Sequence, residues 1–197
     1  MSDVSIATTH KEELDKTALG FWIYLMTDCV LFGSLFATFA VLRTGTAGGP
    51  TPVELFDLDF VFIETMLLLV SSLTSGLALL GTRLGNKRMV ATMLAFTFAL
   101  GAGFLAMELF EFAKLVGEGA GWDRSGFLSA YFTLVGTHGL HIAVGLLWII
   151  VLGAMLVRKG ITPTLLKRMT LFGLFWHFLD IIWIFIFTLV YLFGVVV

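Results

Sequence analysis

Five apolar runs, each about 20 residues long or longer, limit what this chain of 197 residues can fold into. A helix rises ~1.5 Å per residue and needs about 20 residues to cross ~30 Å of hydrocarbon, so each run is long enough to span a membrane. None of the runs shows the period-two alternation of a barrel strand. The runs cover residues 18–42, 60–82, 89–112, 127–157 and 170–196. They predict an all-α integral membrane protein with five transmembrane helices.

Charged residues make up 13% of the sequence, about half the share of an average soluble domain. A net charge of −2, with no long basic run, argues against a nucleic-acid partner. Cys29 is the only cysteine, which excludes disulfides and sites built from several cysteines. Residues 1–17 are polar, and the apolar run behind them is too long for a signal peptide. We expect a polar tail, residues 1–17, followed by one transmembrane domain, residues 18–197.

The distribution of lysine and arginine predicts how the chain is oriented in the bilayer. Nine of these 12 residues lie in the amino-terminal tail and in the second and fourth loops, whereas Arg43, Lys114 and Arg124 lie on the other side. The amino terminus is therefore predicted to be cytoplasmic and the carboxyl terminus periplasmic. The sequence shows no internal repeat and no pair of broken helices, which disfavours a transporter that uses the buried carboxylates.

Ionisable residues inside the predicted spans are few, and each costs roughly 2.5–3.5 kcal/mol on insertion scales, so each needs an explanation. Counting residues from the helix starts puts five of them at a similar depth near the middle of the bilayer. We expect these five to form an intramembrane polar cluster in which carboxylates hydrogen-bond imidazoles: Asp28, His138, His141, His177 and Asp180. Three further carboxylates are predicted nearer the external surface: Glu64, Glu108 and Glu111.

A metal or haem site is the alternative explanation for the intramembrane histidines. His141 and His177 could supply the axial pair of a haem held between helices. A di-iron bundle would require Glu-x-x-His on two helices, and the sequence instead has Glu108-x-x-Glu111, His138-x-x-His141 and His177-x-x-Asp180. The residues therefore favour a packed, hydrogen-bonded polar cluster with no metal, and a haem-binding membrane anchor remains a second hypothesis.

The five predicted helices also carry a specific order of motifs. They read GFWIYLMTDCVLFGSLFATFAVL, FIETMLLLVSSLTSGLAL, FLAMELFEF, SAYFTLVGTHGLHIAVGLLWI and LFGLFWHFLDIIWIFIFTLVYLFG. The most specific part is THGLH, followed about thirty-five residues later by WHFLDIIW. In this order the segments resemble the helices of subunit III of the haem-copper oxidases. The five-helix form with its polar tail resembles subunit III of the bacterial cytochrome o (bo-type) ubiquinol oxidases.

This resemblance implies a V-shaped bundle whose cleft holds phospholipid, in the cytoplasmic membrane of a bacterium. It implies no haem or copper on this chain, since both are expected on the large catalytic subunit, which would be its partner together with other oxidase subunits. The implied role is non-catalytic: to support assembly, lipid binding and stability of a proton-pumping complex that oxidises ubiquinol and reduces oxygen to water. Subunit III of a cytochrome c oxidase, or a homologue associated with nitric oxide reductase, is the alternative.

Individual residues follow from the same resemblance. Asp28 matches the family's buried carboxylate, which is reactive toward hydrophobic carbodiimide in the seven-helix form, although the family has glutamate there. Arg158 matches the arginine that binds a lipid headgroup, and Trp176 is the second lipid-binding candidate. The following residues correspond to the family motif: His138, His141, Trp176, His177 and Asp180. No residue of this chain is expected to be catalytic or to bind a metal.

Overall fold

The computed structural model describes residues 2–48 and 55–196, with side chains at 16–48 and 55–194. The described residues form helices and connecting turns, with no strand. The helices are α1 Ser2–Leu42, α2 Leu58–Arg83, α3 Lys87–Gly117, α4 Gly126–Lys159 and α5 Pro163–Ile186, which continues through a π-helical turn, Phe187–Leu192, into Phe193–Val196. Five helices within the described part of the chain are long and apolar enough to cross a membrane, which confirms the predicted all-α architecture with five spans.

Local capping signals set the helix boundaries. The side chain of Asp57 accepts from the backbone N–H groups of Asp59 and Phe60 at the start of α2, and Asn86 caps α3 in the same way. Thr162 caps α5, and Pro163 follows it in the first turn, where a missing N–H costs nothing. The helix therefore begins well before the apolar run at residue 170.

The predicted polar tail, residues 1–17, falls only partly within the described residues. Its backbone from Ser2 onward is helical and continues without a break into the first span, so α1 is longer than the apolar run. The side chains of residues 1–15 lie outside the described part. The membrane-spanning portion of α1 is Lys16–Leu42.

Four of the helices pack as a closed ring. α2 packs against α3 and α5, and α4 completes the ring by packing against the same two helices. α1 lies outside this ring and packs mainly against α4 and, less extensively, α5. We call the assembly of α2 to α5 the four-helix ring. The side chains of its outward faces are largely apolar and exposed, for example Phe96 and Leu147, as expected for surfaces that contact lipid.

Candidate functional site

Trp176 fills the centre of the four-helix ring. Its indole is fully buried, and Nε1–H donates to Oγ of Ser71 on α2 at 3.0 Å. A Cβ built on Gly101 of α3 would lie 2.9 Å from the indole, and one built on Gly145 of α4 would lie 2.5 Å from it. Glycine at both positions lets three helices close on one large side chain. Trp176 therefore has a packing role inside the ring, and lipid binding by Trp176 stays a prediction that its full burial does not support.

Buried Asp28 on α1 and partly buried His141 on α4 form a pair between α1 and the ring. Asp28 Oδ2 lies 3.7 Å from His141 Nε2, a distance too long for a direct hydrogen bond. The ring nitrogen Nδ1 of His141 donates to the backbone oxygen of Thr137 at 2.8 Å. An imidazole that donates through Nδ1 directs Nε2 toward the carboxyl group.

His177 and Asp180 are placed together at the junction of α2 and α5. His177 Nδ1 lies 2.5 Å from Oγ of Ser72 and 4.0 Å from Oδ2 of Asp180. The Asp180 carboxyl group is buried, whereas the His177 side chain is 53% exposed. Ser72 thus links α2 to the polar pair on α5.

His138 occupies a third location, inside the ring. It is fully buried, and Nε2–H donates to the backbone oxygen of Leu179 at 3.3 Å, while Nδ1 has no hydrogen-bond partner among the described residues. Phe104 packs edge-on against its ring, and Trp183 lies on another side. The imidazole is therefore a packed core side chain, and its hydrogen bond joins α4 to α5.

The five residues predicted to form one polar cluster are consequently divided. Asp28 meets His141, His177 meets Asp180, and His138 bonds only a backbone carbonyl within the described part of the chain. A single cluster of all five residues therefore stays a prediction. Residues at positions i and i+3 differ by about 60° around a helix axis, so His138 and His141 can face different neighbouring helices.

The other three carboxylates lie at the end of the ring where α2 begins and α3 ends. Glu111 Oε2 accepts from the hydroxyl of Tyr131 at 3.0 Å and from that of Tyr191 at 2.8 Å, and the two hydroxyls are 2.9 Å apart. The carboxyl group of Glu108 packs directly against Gly139, whose Cβ position it overlaps. Glu64 is fully buried, and neither of its carboxyl oxygens has a hydrogen-bond partner among the described residues. We call these five residues, Glu64, Glu108, Glu111, Tyr131 and Tyr191, the carboxylate–tyrosine cluster.

Sequence reasoning missed the two tyrosines and Ser72. Tyr131 and Tyr191 are two of only three tyrosines in the chain, and both lie inside apolar runs. A phenol buried in a membrane span needs a hydrogen-bond partner, which is the signal that could have linked them to the glutamates. Ser72 carried no such signal, because a serine in a membrane helix can bond to its own backbone.

The geometry does not favour the haem hypothesis. If His141 were an axial ligand bound through Nε2, the iron would lie beside that nitrogen. The Asp28 carboxyl group lies on that side, 3.7 Å from Nε2. Within the residues that the structure describes, no three histidine, cysteine, aspartate or glutamate side chains form a group that could hold a metal ion.

Arg158, the other lipid-binding candidate, lies exposed in the last turn of α4.

These features define a helical membrane protein with five spans, several of which carry buried polar side chains. A family model described as cytochrome c oxidase subunit III matches residues 2–195. The chain belongs to the cytochrome c oxidase subunit III family.

Curated relatives cover most of the chain. The "Cytochrome bo(3) ubiquinol oxidase subunit 3" of Pseudomonas putida is 56% identical over 91% of this chain and 86% of its own length. "Quinol oxidase subunit 3" of Bacillus subtilis is 48% identical over 89% of this chain and 86% of the relative. "Cytochrome c oxidase subunit 3" of Bacillus sp. (strain PS3) is 46% identical over 90% of this chain and 86% of the relative. The chain is thus similar to subunits of quinol oxidases and to a subunit of a cytochrome c oxidase.

Proposed function

We propose that this chain is the non-catalytic subunit III of a proton-pumping quinol oxidase, which oxidises ubiquinol and reduces oxygen to water. The observation that carries the proposal is the similarity over nearly the whole chain to subunit 3 of the Pseudomonas ubiquinol oxidases, at 55–56% identity. The chain itself performs no redox chemistry in this proposal. It stabilises the large catalytic subunit, which carries the haems and copper, and assists its assembly.

The proposal places the chain in the cytoplasmic membrane of a bacterium, with the amino terminus in the cytoplasm. The excess of lysine and arginine in the tail and in the second and fourth loops supports this orientation. Binding of phospholipid is part of the same proposal, with Arg158 binding a headgroup. The exposed position of Arg158 at the end of a span supports that assignment, because a headgroup phosphate lies at this level.

Purification of the tagged chain from its native membrane in mild detergent tests this function. We expect a large haem-copper subunit to co-purify in one-to-one ratio and to carry all the haem, and the complex to consume oxygen with ubiquinol. Oxygen consumption with reduced cytochrome c instead would assign the chain to a cytochrome c oxidase, the alternative that the Bacillus relative supports. Haem on the isolated chain, lost in His141→Ala, would overturn the accessory role.

The same preparation tests the lipid site. We expect Arg158→Ala to reduce the phospholipid that co-purifies with the complex, while Lys159→Ala, its neighbour in the last turn of α4, leaves the lipid content unchanged. Equal lipid content in both variants would contradict the assignment of Arg158.

A further inference from the structure

His177 exposes an imidazole where the isolated chain would face hydrocarbon. It is the 15th of the 30 residues in the span Pro163–Leu192. Its hydrogen-bonding neighbour Ser72 is the 15th of 26 residues in α2, so the midpoints of two antiparallel spans coincide at this level. Two helices thus independently place His177 near the middle of the bilayer.

The outward side of this imidazole lacks a partner. Nδ1 faces Ser72 and Asp180 inside the α2–α5 junction, and 53% of the side chain is exposed on the outer surface. No hydrogen bond to Nε2 exists among the described residues. A ring nitrogen left bare in hydrocarbon is costly, because lipid chains offer it no hydrogen bond.

Two other exposed hydroxyl groups in the spans do not share this problem. The hydroxyls of Ser34 on α1 and Thr137 on α4 donate to backbone oxygens of their own helices. The outward face of α4 near its middle consists of apolar side chains, including Leu140, Val144 and Leu147. His177 therefore marks one face of the four-helix ring as different from a lipid-contacting surface.

The surroundings of His177 form a surface broad enough for a helix. Ile181 and Ile184 continue the exposed stripe along α5, and Leu73 lies exposed beside Ser72 on α2. We propose that this surface, defined by Leu73, His177, Ile181 and Ile184 and called the His177 surface, docks a transmembrane helix of the large catalytic subunit. The inference rests on the proposed function, and it adds the face of this chain that makes the contact.

The hydrogen-bond geometry also defines the chemistry of the partner group. When Ser72 donates to Nδ1, the Nε2–H of His177 donates outward; when Nδ1–H donates to Ser72, Nε2 accepts. A hydroxyl or amide side chain on the docked helix satisfies either arrangement, because both groups donate and accept. The docked helix therefore carries a serine, threonine, tyrosine, asparagine or glutamine opposite His177.

Site-specific photocrosslinking in native membranes tests the His177 surface. A photoreactive benzophenone amino acid is placed at Ile181 in the tagged full-length chain, and at Leu147 on α4 as a control that is also exposed. We expect illumination to join the variant at Ile181 to the large haem-copper subunit and the control to form no such product. The inference is overturned if the complex co-purifies but crosslinks only from Leu147. If no haem-bearing subunit co-purifies, the proposed function fails, and this inference with it.

Two variants test the contribution of the imidazole itself. His177→Leu removes the outward ring nitrogen, and loss of one buried hydrogen bond predicts about 5-fold weaker association with the large subunit. Ser72→Ala removes the inward hydrogen bond but leaves Nε2 in place, so it should associate like the unmodified chain. His177→Gln should restore association in part. Equal losses in His177→Leu and Ser72→Ala would show a structural role within this chain and overturn the inference.

Discussion

Replacing Gly145 with alanine tests whether the Trp176 indole sets the closest approach of the ring helices. A Cβ at Gly145 would lie 2.5 Å from Cζ3 and 2.9 Å from Cε3 of Trp176. Carbon atoms in contact prefer about 3.5–4.0 Å, so the indole would have to shift by roughly 1 Å. Gly101 of α3 restricts that shift, because its Cβ position is only 2.9 Å from Cζ2 of the same ring.

The expected cost follows from this overlap. Extra methyl groups in a well-packed interior cost about 1–3 kcal/mol. Gly153 on the same helix has no atom within 4 Å of its Cβ position, so Gly153→Ala is a matched control with the same gain in helix propensity. We expect Gly145→Ala to have a free energy of unfolding about 1–3 kcal/mol lower than that of Gly153→Ala.

Reversible unfolding in mixed detergent micelles, followed by far-UV circular dichroism, measures this difference. Trp176→Leu removes the indole, so adding Gly145→Ala to it should cost less than Gly145→Ala costs alone. Equal stability of the two alanine variants would refute the reasoning. Strict additivity in the Trp176→Leu background would show that the cost of Gly145→Ala comes from another contact.

Two further predictions concern buried carboxylates. Glu64→Met should leave the free energy of unfolding unchanged or raise it, because neither carboxyl oxygen has a hydrogen-bond partner among the described residues. Glu111→Met should lower it by about 1–3 kcal/mol, because two tyrosine hydroxyls lose Glu111 as their acceptor. Detergent unfolding of both variants checks this, and a larger loss in Glu64→Met would contradict it. In the purified complex, Asp28→Asn should leave the haem absorbance spectrum unchanged and reduce only durability during turnover; a shifted spectrum would count against a non-catalytic role.

The fold could be predicted because length and hydropathy alone specify membrane helices. Helix ends were less predictable, since hydropathy reports the hydrocarbon portion only. α5 begins at Pro163, before the charged Lys167 and Arg168, and the signal for that start is local: Thr162 caps the helix and Pro163 follows. Capping residues therefore locate helix ends that apolar runs miss.

The sequence predicted how deep the polar residues lie along their helices, but not which neighbouring helix each side chain faces. Asp28 and His141 were expected at a similar level, and they meet. Hydropathy cannot give the rotation of a helix that is apolar nearly all round, so the separation of His138 from His141 did not follow from the sequence. Trp176 shows the same difficulty: the family resemblance made it a lipid-binding candidate, whereas glycines on two other helices leave room for its indole at the centre of the ring.

The position of α1 outside the ring has a consequence for biogenesis. α1 packs mainly against α4 and, less extensively, α5, and Asp28 and His141 are 113 positions apart in the chain. At synthesis rates of about 5–20 residues per second, α1 waits roughly ten seconds in the membrane before His141 has been made. Its span has a mean hydropathy of 1.9, which retains the helix in the bilayer with Asp28 not yet paired. α1 is thus inserted before α4 and α5, and it finds its packing partners only after both have been made.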